Sequence, residues 1–348
     1  MARVTLKTVA ERVGVSPMTV SNAFSRPDQL SAALREKILA TAAELGYAGP
    51  DPAARTLARG ATGTVGILFH GSPRYAFSDE FAARFLAVIA EELGHGGLAL
   101  TLLPNAGTPE VLPVRDVAMD GAIIYSCSTT ESSFGWLRKR RLPLVLVDEP
   151  DDADLSAYSS VNVDDRAGAR AAAAHLVALG HRRIAVLTVG PPAPRPGDFF
   201  VAQERMRGWR DVLEPAGIAP AVRHLHEAVE GERVAAAREL LIGPDRPTAV
   251  LCFADFLGAD VLGAAADLGM RVPTDLSVVG FDDSSVARRL NPPLTTVRQD
   301  VDAKGSLAAA ELIKAVRRRR AGEPDRVRRH LLPTELVVRG TTAPPGPA

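Results

Sequence analysis

Three residues near the N-terminus, Pro17, Met18 and Asn22, have the types and spacing to read base-pair edges. An Asn amide can pair bidentately with adenine, whereas Pro17 and Met18 offer apolar surface that suits a thymine methyl. Around them Thr5, Ser16, Thr19, Ser21 and Ser25 supply hydroxyls for phosphate oxygens. Such contacts fix register without reading sequence.

The elements that must position these side chains are legible in the same stretch, TLKTVAERVGVSPMTVSNAFS at 5–25. Leu6, Val9, Ala10 and Val13 fall at i, i+3, i+4 and i+7, which predicts a helix with one apolar stripe, capped by Thr5. Gly14-Val15-Ser16 forms the turn. Ser16 caps a second helix with Pro17 in its first turn, where the missing N–H costs nothing, and Val20 and Phe24 face inward. A third helix follows the cap Ser31, with Leu34, Ile38, Ala42 and Leu45 on one face. This is a helix-turn-helix, whose second helix enters the major groove while the first crosses the backbone. A small bundle that binds nothing is the bland reading; period, turn and caps together favour the DNA reader.

Composition is compatible with a small headpiece on a large body. The 348 residues suggest two or three domains. Net charge is zero overall, yet residues 1–60 carry eight cations against five carboxylates, a local +3. Phosphate neutralisation needs local charge, so overall neutrality does not exclude nucleic acid. The two cysteines, Cys127 and Cys252, are far apart and lack metal or redox spacing, which reads as core residues of a reduced protein. No signal peptide and no apolar run approaching ~18 residues is visible, so a cytoplasmic location without membrane contact is expected.

From residue 62 short apolar runs alternate with helical stretches: VGILF at 65–69, LALTLL at 98–103, GAIIY at 121–125 and PLVLVD at 143–148. The pattern resumes with RRIAVLTV at 182–189, AVLCFAD at 249–255 and LSVVGFDD at 276–283, separated by helices such as 166–179 and 257–268. This βαβ punctuation predicts an α/β body of two parallel-sheet halves flanked by helices, with a cleft between them suited to a small molecule. No phosphate-binding glycine motif and no nucleophile elbow is present, so no catalytic residue, cofactor or metal site is expected. HGG at 95–97 reads as a helix stop. The run Arg317-Arg318-Arg319-Arg320 resembles a nucleic-acid patch, but its position at a helix end, where cations suit the dipole, favours a structural reading.

With these motifs in place, TLKTVAERVGVSPMTVSNAFS followed by LREKILATAAELGY resembles the headpiece of the LacI/GalR family of bacterial transcription regulators. VNVDDRAGARAAAAHLVALGHRRIAVL, ERMRGWR, PTAVLCFAD, LGMRVPTDLSVVGFDDS and NPPLTTVRQD resemble that family's core, which is similar to periplasmic sugar-binding proteins. The resemblance covers about 340 residues.

It implies a headpiece at 1–48, a hinge at 49–61 and a core at 62–340. The core's N-subdomain would comprise about 62–160 plus part of 292–325, its C-subdomain about 161–291 plus 326–340, and 341–348 would be a disordered tail. In PDPAARTLARG at 50–60, Asp51 can cap, Pro52 start and Gly60 stop a helix too short to be stable alone. Leu57 would be a minor-groove wedge, flanked by Arg55 and Arg59. The family's usual Asn at this cap is Asp51 here.

For the cleft, the resemblance places Arg205 and Asp282 on effector hydroxyls, although an Arg and an Asp on neighbouring strand ends can also simply pair. By position, Asp148 at the end of PLVLVD can face the same space, Phe81 in the first core helix can pack against a ligand or belong to the core, and His70 after the first strand can face the cleft or solvent. Ala254-Asp255 stands where the family often has Asn-Asp, so one amide contact is absent. The function implied is a repressor: a homodimer on pseudo-palindromic double-stranded operator DNA, controlled by a sugar or sugar derivative. A solute-binding protein without a regulatory role is the alternative from a different class, and a carbohydrate enzyme is third.

Overall fold

The computed structural model describes residues 4–51, 56, 60–69, 77, 79–104, 112–126, 132–150, 155–192, 194, 199–225 and 230–346. The chain separates into two compact units, one ending at Gly63 and one starting at Thr64.

The first unit holds α1 (Leu6–Val13), α2 (Pro17–Ser25) and α3 (Ala32–Glu44). Each begins where predicted, because the hydroxyls of Thr5, Ser16 and Ser31 accept a backbone N–H three residues on. Helix α1 stops at Gly14, whose φ of 82° is costly for any residue with a Cβ, and whose N–H bonds back to the Ala10 carbonyl. Val9, Ala10, Val20, Ala23, Ile38 and Ala42 form the buried centre, with Leu6, Val13, Phe24 and Leu34 packed around it.

In the second unit the chain runs β1 (Thr64–Phe69), α4 (Glu80–His95), β2 (Ala99–Leu103), α5 (Pro113–Asp116), β3 (Ala122–Tyr125), α6 (Ser132–Lys139), β4 (Leu144–Val147) and β5 (Ser159–Val163). It continues with α7 (Asp165–Ala178), β6 (Ile184–Val189), α8 (Phe200–Leu213), β7 (Ala221–Leu225), α9 (Glu230–Leu241) and β8 (Ala249–Cys252). Then come α10 (Asp255–Asp267), β9 (Ser277–Asp282), α11 (Ser285–Arg289), β10 (Thr295–Gln299), α12 (Val301–Ala321), β11 (Arg329–Leu332) and β12 (Thr334–Val337).

Two six-stranded sheets result, in the orders β11-β5-β4-β3-β1-β2 and β12-β10-β9-β8-β6-β7. Pairings are parallel as the βαβ pattern requires, except that β12 runs antiparallel to β10. Both faces of each sheet are covered, which explains the continuous apolar strands. On the first sheet α4 and α12 pack one face, while Val114, Phe134 and Leu137 cover the other. On the second, α9 and α10 pack one face and α7 and α8 the other. Helices α7 and α8 approach so closely that a Cβ on Gly208 would lie 2.3 Å from the Arg166 carbonyl oxygen. Next to it Trp209 is buried, although its indole N–H has no partner among the described residues.

The chain crosses between sheets at residues 164, 300 and 333. This departs from the expected boundaries: residues 161–163 and 329–332 belong to the first sheet, and β10 at 295–299 to the second. The crossings are set by helix caps and hydrogen bonds, which leave no hydrophobic period to read. Asp164 caps α7 and donates its N–H to the Leu332 carbonyl (2.9 Å), Thr334 Oγ1 donates to the Asp164 carbonyl (3.1 Å), and Asp300 caps α12.

The C-terminal stretch also differs from the expected disordered tail. Thr341 is fully buried; its Oγ1 accepts the Thr295 N–H (2.8 Å) and donates to the Val278 carbonyl (2.7 Å). Ala343 bonds Ser277 and His181. These groups complete the hydrogen bonding beside β9 and β10, which a composition-based reading of TTAPPGPA misses. Among the described residues no helix is long and apolar enough to cross a membrane, and no His, Cys, Asp and Glu cluster has a metal-site arrangement. Cys252 is a buried free thiol, and Cys127 lies outside the described residues.

Candidate nucleic-acid interface and ligand cleft

In the first unit the leading turn of α2 is exposed: Ser16, Pro17 and Met18 all face solvent, Met18 with 67% of its surface accessible. Two residues on, Val20 is fully buried. The helix therefore anchors one face and presents the other. Thr19, Ser21, Asn22 and Ser25 are half-buried along it, and Thr5 is exposed at the start of α1. Ser16 Oγ lies 2.9 Å from Thr19 Oγ1, and the Ser25 hydroxyl donates to the Ser21 carbonyl (2.8 Å), so Ser25 is committed to its own helix.

Asn22 Nδ2 donates to Gln29 Oε1 (3.1 Å), in the short 3₁₀ turn at Pro27–Gln29. Gln29 is exposed beside the adenine-reading candidate, and sequence reasoning missed it; its one signal was PDQ directly after α2. Arg55, Leu57 and Arg59 lie outside the described residues, as does His70 in the second unit.

The cleft of the second unit lies where strand ends of both sheets meet. About 640 Å³ of solvent-connected space is lined by Phe81 and Glu80 from the first half and by Asp282, Ser285 and Gln299 from the second. Phe81 and Asp282 thus share one cavity. Arg205 stands behind them, almost completely buried in α8. Its Nε donates to Asp165 Oδ1 (2.8 Å), Nη1 to the Phe253 carbonyl, and Nη2 sits 3.6 Å from Asp282 Oδ1. The rings of Phe281 and Phe253 flank the guanidinium at 3.5 and 4.6 Å from their centroids. The guanidinium is rigidly aimed, as a donor fork must be if it is to select ligand geometry.

Asp282 accepts Gln299 Nε2 at 2.6 Å. Its φ is 112°, that of Asp283 is 55° and that of Asp148 is 58°. Non-glycine backbone in this region is strained and persists where surroundings over-determine it. Here they do: Arg205 and Gln299 hold Asp282, while Arg298 (2.7 Å) and Arg339 hold Asp283. Asp255 fixes the same corner, accepting Thr296 Oγ1 (2.5 Å) and the Ser284 N–H (2.7 Å).

Asp148 is buried beside β4, where Lys304 Nζ donates to its Oδ2 at 2.5 Å. That ammonium is enclosed by the rings of Phe81, Phe85 and Tyr125 at 5.2–5.9 Å. Lys304, Asp165, Gln299 and the α4 cap Asp79 belong to this cluster and were not singled out from sequence. Asp165 stands in the VNVDDRAG motif, which was a usable signal. Lys304 looked like an ordinary helix cation.

Burial drives the electrostatics. It raises Asp282 well above the ordinary carboxylate range against the pull of Arg205, and raises Asp165 and Asp79 in the same way. Burial opposes the charge on Arg205, but Asp165 and Asp282 more than compensate and its pKa rises. Burial likewise pushes Asp255 to about 6, tempered by its bonds from Thr296 and Ser284. Carboxyl groups crowd two buried cations, an arrangement that suits a neutral hydroxylated ligand better than an anion. Across the mouth Glu80 accepts the Ser285 N–H (3.1 Å) and hydroxyl (2.9 Å), tying α4 to α11.

Residues 5–49 match the family described as bacterial regulatory proteins, lacI family, and residues 173–342 match a periplasmic binding protein-like domain. The chain is 39% identical to an HTH-type transcriptional regulator of Mycobacterium tuberculosis, covering 99% of this chain and 98% of that one. It is 36% identical to the HTH-type transcriptional regulator IpsA of Corynebacterium glutamicum over 90% and 91%. Among solved structures, the transcriptional regulator CelR–cellobiose complex aligns with a TM-score of 0.70 at 31% identity, covering 97% of this chain and all of that one. The lac repressor dimer bound to operator and the anti-inducer ONPF aligns with a TM-score of 0.79 at 27% identity, covering 98% and 100%. With headpiece and core both matched over nearly their full length, this chain belongs to the lacI family of bacterial transcriptional regulators.

Proposed function

We propose that the chain is a cytoplasmic repressor that binds a pseudo-palindromic operator as a homodimer and responds to a sugar or sugar derivative in the cleft. The observation that carries the reading is the exposed leading turn of α2, held by buried Val20 and Ala23 and by the Ser16 cap. Pro17, Met18 and Asn22 read bases, with Gln29 as a neighbour of the Asn22 amide. The hydroxyls of Thr5, Ser16, Thr19 and Ser21 bind phosphates. Sequence assigns Leu57 as a minor-groove wedge and Arg55 and Arg59 as its flanking cations. One headpiece contacts too little DNA for strong specificity, so two are needed on successive groove faces.

For the cleft, Arg205, Asp282 and Gln299 supply convergent donors and acceptors, Phe81 an apolar face, and Asp148 acts through Lys304 to fix that wall. The cellobiose complex of CelR and the operator-bound lac repressor dimer support a carbohydrate effector and a dimer here. The solute-binding alternative leaves α1 and α2 without a role and does not fit relatives that are regulators along their whole length. The switch is a change in the relative orientation of the two halves, with Glu80–Ser285 as a latch and three crossings as the hinge. Effector and operator then alter one another's affinity by the same factor.

Footprinting on the promoter beside the chain's own gene tests the reading. A protected palindrome that responds to a sugar supports it, and protection nowhere overturns it. Leu57→Ala should weaken operator binding far more than binding to random duplex; equal losses would remove the wedge.

A further inference from the structure

We propose that the strand-start edge of the first sheet carries a basic rim that grips the phosphate backbone of duplex DNA flanking the operator, outside the base pairs read by α2. Three segments meet at this edge: RKRR at 138–141 just before β4, RRRR at 317–320 closing α12, and RVRR at 326–329 leading into β11. Eleven of these twelve positions are cationic in a chain with no net charge.

The fold brings them together. Arg319 Nη1 donates to the Arg141 carbonyl, joining the first two segments. The Arg328 N–H donates to Ser159 Oγ (3.1 Å) at the start of β5, which places the third beside them along the parallel strand starts. A helix dipole accounts for cations in the last turn of α12, and does so locally. It gives no reason for a second basic run to converge on the same spot.

Counter-charge is sparse. Arg320 pairs with Asp120 at 2.5 Å, but among the described residues Arg138, Lys139, Arg141, Arg317, Arg318 and Arg319 have no carboxylate partner. Arg138 and Lys139 instead lie over the rings of Phe134 and Trp136, which rigidifies them at the surface. So dense a cluster repels itself and is stabilised by a polyanion that releases counterions on binding.

Duplex DNA is the favoured polyanion because of where the chain enters this unit. Thr64, the first residue of β1, accepts the Asp120 N–H (2.8 Å), and the Asp120 carboxylate holds Arg320. The linker from the DNA-reading unit therefore joins the core at the rim itself, and a duplex held by that unit is leashed to this edge. The proposal rests on the DNA-binding reading above.

The test compares the full-length parent with Arg138→Gln/Lys139→Gln/Arg317→Gln/Arg318→Gln, which leaves Arg319 and Arg320 in place. A second variant, Arg326→Gln/Arg328→Gln, samples the third segment. Fluorescence anisotropy would use an operator selected from random duplexes, once in an operator-only duplex and once in a 40-bp duplex with mixed-sequence flanks. Loss of two to four phosphate contacts per dimer should lower the slope of log affinity against log salt by roughly 2–4 on the long duplex, with about tenfold weaker binding at physiological salt. Operator-only binding should not change. Identical salt slopes for parent and both variants on the long duplex overturn the rim, as does an equal loss on both duplexes or a loss confined to a single-stranded RNA probe. A parent that binds neither duplex overturns the DNA reading itself.

Discussion

Replacing Lys304 by Met would leave the buried Asp148 carboxyl without its hydrogen-bonded counter-charge, and the geometry sets the scale of the cost. The two side chains are 2% and 5% exposed, their charged atoms are 2.5 Å apart, and Asp148 Oδ1 has no other partner among the described residues. Removing one member of such a pair costs about 3–5 kcal/mol, because the survivor loses its counter-charge without regaining water. Met fills a similar volume among Phe81, Phe85 and Tyr125, so lost packing adds little.

Removing both charges in Asp148→Leu/Lys304→Met should recover most of that loss and bring stability to within about 2 kcal/mol of the parent, since a buried pair is often replaceable by apolar groups and the remainder is the strain of Leu at the positive φ of residue 148. Urea unfolding of parent, both single variants and the double variant closes the cycle. If Lys304→Met loses less than about 1 kcal/mol, or the double variant loses the sum of the singles, the pair is not desolvated as described and the cleft wall is not held by it.

Asn22→Ala should relax preference at one base pair by about 1–3 kcal/mol, read by binding to duplexes varied at each position; an unchanged preference profile would reject the contact. Arg205→Ala should preserve operator binding while abolishing the ligand response, with calorimetry showing at least tenfold weaker effector binding; unaltered effector affinity would contradict its place in the cleft. Asp255 is raised from 3.8 to about 6 in the fold, so the folded state binds the extra proton and stability should fall as pH rises from about 4 through 6. The full swing is on the order of 3 kcal/mol. Asp255→Asn should flatten thermal stability across that window, and a parent curve that rises there would refute the assignment. Gly208→Ala should destabilise the core by about 1–3 kcal/mol, since its Cβ meets the Arg166 carbonyl oxygen, and equal unfolding midpoints would exclude the close packing.

Local signals carried most of the headpiece. Thr5, Gly14, Ser16 and Pro17 each have a positional meaning that does not depend on tertiary context, so α1, the turn and α2 were readable to the residue. The strands VGILF, PLVLVD and AVLCFAD announced themselves because both faces are buried. Their ends differ from the expected spans by one to three residues. Strands β5, β7 and β10 to β12 were not anticipated, since SSVNV, AVRHL, TTVRQ, RHLL and TELV mix polar and apolar residues and owe their structure to their neighbours.

The cleft shows the same division. Arg205 and Asp282 came from motifs, but Lys304 is 156 residues from its partner Asp148 and 223 from Phe81, whose wall it completes. Nothing local marks such a lysine as buried. Gln29 was missed because its meeting with Asn22 depends on a 3₁₀ turn that sequence left as a link. Thr341 was missed because a Pro-rich, Thr-rich ending looks disordered until the strand groups it satisfies are known.

Coupling between cleft and headpiece is the central property proposed for this regulator. Operator affinity of the full-length protein, measured by fluorescence anisotropy against a panel of sugars and polyols, tests it most directly when the affinity of any responding ligand is also measured with and without operator. At least one compound should change operator affinity, with the operator changing that compound's affinity by the same factor. A compound that occupies the cleft and loses affinity on Arg205→Ala, yet leaves operator binding unchanged, would contradict it.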